Sequence, residues 1–401
     1  MLTDGALRML VLLHFHTLGF SPVQLAYLFV LYEIAGIITN LCAGWVAARF
    51  GLTTTLYAGL GLQVIALLLL AQLDPTWGIS ASVIFVMLVQ GLSGVAKDLA
   101  KMSSKSAVKI LAPTEGGGLF TWVAVLTGSK NAVKGVGFLM GAGMLAVVGF
   151  VPSVFAMAAV LMVILIALIS ARPSGLSAGR KDAKFIEVLS KNRNINWLSF
   201  ARLFLFGARD VWFVVGIPIY FYAVLSDGSE ASNRSAFFAI GSFMAVWTIL
   251  YGFVQGWAPR LLKAKSRSEQ QLLDQSRIWA GLLVAVPAVL AAVVFVSGGP
   301  SNGLTAAIIL GLLVFGGIFA VNSSLHSYLI LSLSDARRVT LDVGFYYMAN
   351  AAGRLAGTVL SGLTYQIGGL PLCLATAAVM VAISSFGVGR ISPNSCSDST
   401  D

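Results

Sequence analysis

A chain of 401 residues, of which 58% are hydrophobic and only 10% charged, departs from soluble proteins, in which about a quarter of residues carry charge. With 42 glycines and a mean hydropathy of +0.88, this composition excludes a soluble enzyme, a disulfide-stapled secreted domain and a disordered chain, and leaves a polytopic membrane protein. The formal charge of +10 then becomes a question of where the positive residues stand relative to the spans.

Hydrocarbon satisfies no backbone polar group, so apolar runs of roughly 20 residues predict helices. Twelve are expected, near 1–18, 22–48, 54–72, 80–98, 119–148, 152–171, 196–224, 234–258, 278–297, 304–333, 342–366 and 370–390. The first has no basic segment before it and carries Asp4 and Arg8 almost at once. Either it is short or the sequence begins inside it; a signal peptide would need a basic n-region and a small-residue cleavage site. Loops after helices two, four, six, eight and ten, with Arg390, hold nineteen basic residues, among them Lys97, Lys101, Lys105 and Lys109, whereas the opposite loops hold only Arg234. The positive-inside rule therefore places those loops and the C-terminus in the cytoplasm.

The longest basic connection divides the chain into an N-terminal six-helix bundle (1–171), a cytoplasmic linker (172–195), a C-terminal six-helix bundle (196–391) and a cytoplasmic tail (392–401). Three sequence pairs repeat in order between the halves: Gly5-Ala6-Leu7-Arg8 with Gly207-Ala208-Arg209, Gly44-Trp45 with Gly256-Trp257, and Asn131-Ala132 with Asn350-Ala351. Two homologous six-helix halves make the all-α architecture of major facilitator transporters, with a site at the midplane between them.

Six basic residues remain at span depth: Arg8, Lys130, Lys134, Arg202, Arg209 and Arg354. Each costs about 3 kcal/mol at a bilayer centre, so they face protein or a wet path. The acids at that depth are Asp4, Glu33 and Asp210; the excess of positive charge suits a multiply charged anion, with arginine as bidentate fork and lysine as point charge. Arg8, Lys130, Lys134, Arg209 and Arg354 are the candidate substrate-binding residues. Glu33, Asp4 and Asp210 are candidates for proton coupling. Other readings stand beside these. Arg202 either snorkels to the interface or lines the path; Arg209 with Asp210, and Asp4 with Arg8, are either ion pairs or part of the site. Lys97, Lys101 and Lys105 recur every four residues, as an anchor on anionic lipid or a cytoplasmic mouth that gathers anions.

No cofactor or metal is expected. Cys42, Cys373 and Cys396 are scattered, and His14 and His16, two apart, point to different helix faces. His326 is either a packing residue or a cavity residue. Gly135, Gly137, Gly141 and Gly143 read as close-packing positions, since no strand precedes them as a dinucleotide site requires.

Gly44 to Gly51 resembles the loop between helices two and three of the major facilitator superfamily, except that Ala48 stands where that family has an acid. Ala96 to Lys109, Leu126 to Gly137 and Leu2 to Arg8 resemble the organoarsenical efflux permeases of bacterial arsenic-resistance clusters. That resemblance implies a twelve-helix transporter of the bacterial inner membrane whose helices one, five, seven and eleven line the cavity. It also implies export of 1-arseno-3-phosphoglycerate, made by a glyceraldehyde-3-phosphate dehydrogenase partner, with arsenate resistance as the outcome. The alternatives are an importer or exchanger of organophosphates or other organic anions, and a transport-dead membrane receptor. An enzyme is not expected, since no set of nucleophile, base and orienting residue stands out.

Overall fold

The computed structural model describes residues 1–50, 52–111, 118–171, 190, 192–263, 267–334 and 339–392, with 43–45, 47–50, 52, 102–111, 118–128 and 339–341 described as backbone only. Lys105, most of the linker, nearly all of the tail and most of the segment from Gly44 to Gly51 thus lie outside the described side chains. The elements are all α-helices: α1 (Leu2–Thr17), α2 (Pro22–Tyr27), α3 (Val30–Phe50), α4 (Leu52–Leu70), α5 (Ile79–Leu111), α6 (Gly118–Val148), α7 (Phe150–Ala171), α8 (Arg193–Phe213), α9 (Gly216–Leu225), α10 (Glu230–Leu261), α11 (Glu269–Val296), α12 (Asn302–Leu333) and α13 (Val339–Gly389). Ten helical stretches among the described residues are long and apolar enough to cross a membrane, α2 with α3 and α8 with α9 each counting as one. The sixteen residues of α1 fall below that length, and α13 divides at Gly368 and Gly369, whose backbones leave the helical region.

Local chemistry sets the ends. Ser21 and Ser268 start α2 and α11 as capping boxes with Gln24 and Gln271, and Asn192, Ser229 and Ser301 cap α8, α10 and α12. The break between α8 and α9 frees backbone donors at membrane depth. Ser361 Oγ of α13 accepts from Val215 N at 3.1 Å and Gly216 N at 3.2 Å, which removes the cost of the interruption.

Glycine lets particular helices touch backbone to backbone. A Cβ at Gly5, Gly137 or Gly141 would strike the opposing helix of the α1–α6 pair, and one at Gly353 or Gly357 would strike α8 from α13. Other neighbouring pairs include α3 with α5, α4 with α5 and α7, α10 with α12, and α11 with α12 and α13. Three further contacts join early helices to late ones, α6 with α10, and α2 and α3 with α13. The buried core is aromatic where α8, α10 and α12 meet: Trp212 stacks edge-on against Trp247 and Phe315, each at 5.4 Å between ring centroids. Outward faces are aliphatic, as on α7, where Val160, Val163 and Ile166 are exposed. In water such a face would be a liability, whereas lipid solvates it.

Candidate functional site

From the helix midpoints toward the end that bears the basic connections, α1, α5, α6, α8, α10, α12 and α13 surround a cavity of about 190 Å³. An adjoining cavity of about 310 Å³ shares Asp4, Lys97, Lys101 and Lys130 and extends along α4. Seven cations line the first: Lys97, Lys101, Lys130, Lys134, Arg202, Arg209 and Arg354. They fall into two groups of different chemistry.

The arginine group centres on Glu33, which is 1% exposed. Its Oε1 accepts from Arg8 Nη2 and from Arg354 Nη2, each at 2.6 Å. Arg354 also approaches Asp210 Oδ2 at 3.5 Å, and Asp210 accepts from Arg209 Nε at 2.6 Å. One chain of charges therefore runs from α1 and α3 through α13 to α8. Arg8 stacks within 5.0 Å of Phe29 and 5.1 Å of Tyr32, so its buried charge gains from ring faces as well as from the carboxylate. Arg202 lies on the same face of α8 as Arg209, two turns earlier. Its Nε donates to Asn350 Oδ1 at 2.9 Å and its Nη1 to Ser323 Oγ at 3.1 Å.

The lysine group is built on α5 and α6. Asp98, 2% exposed, accepts from Thr39 at 2.9 Å and sits 3.3 Å from Lys101 and 3.7 Å from Lys97. Asp4 lies 3.5 Å from Lys134 and accepts from the Tyr32 hydroxyl, while Lys97 stands 4.1 Å over the Tyr32 ring. Lys101 also reaches Asn40 at 3.3 Å. Lys97, Lys101 and Lys134 share two carboxylates, with Lys130 on the same wall, as Arg8, Arg209 and Arg354 share Glu33 and Asp210 across the cavity. Asn131 of α6 and Gln255 of α10 close one side at 3.0 Å.

The structure brings Lys130, Lys134, Arg209, Arg354, Asp4 and both described mouth lysines, Lys97 and Lys101, to the one cavity. It corrects the reading of Lys97 and Lys101 as loop residues, because α5 continues to Leu111 and carries them on its wall. Arg8 and Glu33 are not among the lining residues; they are buried and bonded to each other. Asp4 pairs with Lys134, not with Arg8, because α1 packs directly on α6. Arg209 and Asp210 form an ion pair, in which Arg209 lines the wall and Asp210, 1% exposed, is buried behind it. Arg202, open in the sequence between snorkelling and lining the path, is 4% exposed and lines the cavity. His14 stacks on Phe150 at 4.1 Å and His16 meets Tyr222 edge-on at 4.7 Å, so neither faces the other. His326 is fully buried in α12 and is absent from the cavity wall. Sequence reasoning missed Tyr32, Asn350 and Ser323; a polar side chain in an apolar helix was the available signal, and it marks many residues that line nothing.

A family model for the Major Facilitator Superfamily matches residues 1–330. A comparison with curated proteins gives no significant match. Among solved structures, a bacterial homologue of the iron transporter ferroportin in an inward-facing state is similar with a TM-score of 0.69 at 13% identity, over 97% of this chain and 96% of that one. The nucleoside transporter NupG is similar with a TM-score of 0.69 at 15% identity, over 97% and 95%. A POT family transporter in complex with 5-aminolevulinic acid gives 0.71 at 14% identity, over 96% and 92%. At these identities the likeness is one of fold. Fold and family agree: this multi-pass helical chain belongs to the major facilitator superfamily.

Proposed function

We propose that the chain is a secondary active transporter that exports a multiply charged organic anion, with 1-arseno-3-phosphoglycerate as the cargo implied by the resemblance of its lysine-rich segments. One observation carries the anionic cargo: among the described residues eight cations cluster around four carboxylates, and seven of the eight line one cavity. An excess of buried positive charge is costly unless an anion offsets it.

In this reading the chain crosses the bacterial inner membrane twelve times, α1 being the first span and the two parts of α13 the last two, with the C-terminus cytoplasmic. The helix pairings support two related halves. Shifting each helix by six spans turns the α1–α6 pair into α8–α13, α3–α5 into α10–α12, and α6–α10 into α13–α3, and every one of these pairs is present. With the basic connections in the cytoplasm, the cavity faces the side on which the cargo is made.

Lys130, Lys134, Arg209 and Arg354 bind the cargo, while Arg8 holds Glu33 in place from behind. Lys97 and Lys101 gather the anion at the entrance. Asp4, Glu33 and Asp210 couple transport to protons: protonating any of them releases a lysine or arginine from its partner. At Glu33 that step loosens Arg354, whose bond to Glu33 joins an early helix to a late one.

Arsenate resistance is the readout. Cells that express the transporter together with a glyceraldehyde-3-phosphate dehydrogenase should accumulate less arsenic from arsenate than cells lacking either one. Equal accumulation in all three would reject the arsenic cargo.

A further inference from the structure

Arg202 stands apart from the arginines around it. Its Nη1 bonds the carbonyl of Ser323 at 3.2 Å and the hydroxyl at 3.1 Å, its Nε bonds Asn350, and its guanidinium carbon lies 4.0 Å from the Phe206 ring centroid and 4.9 Å from that of Tyr346. Every one of these partners is neutral. Among the described residues no carboxylate pairs with Arg202, whereas Arg8, Arg209, Arg354 and Lys134 each have one. A guanidinium fixed on neutral acceptors is oriented without being neutralised. Its Nη2 makes no hydrogen bond among the described residues, and the residue lines the cavity.

Arg209 overlies the same ring, with its guanidinium carbon 4.9 Å from the Phe206 centroid. Its Nε and Nη2 are held by Asp210, which leaves Nη1 without a described partner. Both guanidiniums lie beside the Phe206 ring, both residues line the cavity, and each keeps one nitrogen without a described partner. The arginine group carries two more positive charges than Glu33 and Asp210 supply negative ones, an excess that matches one dianionic group.

We propose that Arg202 and Arg209 form an oxyanion subsite that takes a phosphate-type group of the cargo, while the lysines of α5 and α6 take its other, carboxylate-type end. This rests on the reading of the cavity as a polyanion path and assigns its two ends. One free nitrogen from each of two guanidiniums suits a tetrahedral group, whose three acceptor oxygens can be met by donors that do not share a plane; a carboxylate offers two oxygens in one plane. Lysines impose no such plane. Asn350 and Ser323 are positioning residues, which hold Arg202 in the one orientation that leaves Nη2 free.

The test is equilibrium binding to the purified full chain in lipid nanodiscs. The probes are 3-phosphoglycerate, glycerol 3-phosphate, which carries only the phosphate end, and glycerate, which carries only the carboxylate end. Arg202→Lys, which keeps the charge and removes the Nη2 donor, should weaken glycerol 3-phosphate about tenfold and leave glycerate nearly unchanged. Asn350→Asp keeps the size of the side chain and its acceptor oxygen while giving Arg202 a fixed counter-charge, and should produce the same selective loss. Lys130→Gln should show the opposite preference. Equal loss of both single-ended probes in Arg202→Lys and Asn350→Asp, or no loss, overturns the subsite while leaving the polyanion path intact. A wild-type protein that binds none of the three probes overturns the polyanion path and the subsite with it.

Discussion

Glu33→Gln keeps the shape of the side chain and removes the charge that two guanidiniums share. Arg8 and Arg354 each place Nη2 2.6 Å from the same oxygen, and with Glu33 1% and Arg8 6% exposed, little water can replace the lost charge. Removing one partner of a buried pair costs about 3–5 kcal/mol, because the other charge is stranded. Arg354 retains Asp210 at 3.5 Å, so the stranded charge falls mainly on Arg8 and the lower end, about 3 kcal/mol, is expected. Denaturant unfolding of the purified protein in detergent measures it. A cycle with Arg8→Gln separates the pair from the individual residues. The double variant should recover at least half of the loss, since it no longer buries an unpartnered cation. A Glu33→Gln protein within about 0.5 kcal/mol of wild type, the range of ordinary surface substitutions, or a double variant whose loss is the sum of the singles, would refute the shared-carboxylate account.

Lys130→Gln combined with Lys134→Gln should abolish transport while membrane abundance stays at the wild-type level; a double variant that still confers arsenate resistance contradicts the binding role of both lysines. Gly141→Val drives a side chain into the Ala6 carbonyl of α1, an overpacking that costs about 1–3 kcal/mol or more, and should lower the yield of monodisperse protein in size-exclusion chromatography. In the loop before α10, bonds from Ser232 at 2.5 Å and from the Ser229 backbone at 2.9 Å hold the Asp227 carboxyl down at about 2. A carboxylate depressed in the folded state stabilises above its ordinary value of 3.8 and loses that contribution as pH falls toward 2. Wild type should therefore exceed Asp227→Asn in thermal stability at pH 6, with the gap closing below pH 4; a gap that widens on acidification rejects the assignment.

The spans were legible because lipid demands long apolar runs, and the observed helices begin and end within a few residues of the expected ones over most of the chain. The larger exceptions have local causes. The interruption at Val214 and Val215 lies in a continuous apolar run, and the group that makes it tolerable, Ser361, is 146 residues from Val215. α5 outruns its apolar stretch because its last turns are amphipathic, which made Lys97 and Lys101 look like loop residues. Which cations are at depth was legible from cost alone, whereas their partners were not: Glu33 meets Arg8 across 25 residues and Arg354 across 321. Arg202 stayed open between two readings because proximity to a helix end is the signal of snorkelling, and only its bonds to Ser323 of α12 and Asn350 of α13 show that it is enclosed.

Reconstitution of the purified protein in proteoliposomes tests the central claim most directly. With 3-phosphoglycerate as a stable stand-in for the cargo, an imposed proton gradient should drive its flux, and Lys130→Gln with Lys134→Gln should bring that flux to the level of empty liposomes. Flux of neutral or cationic solutes with none of the polyanion, from protein shown to be folded, would contradict the account.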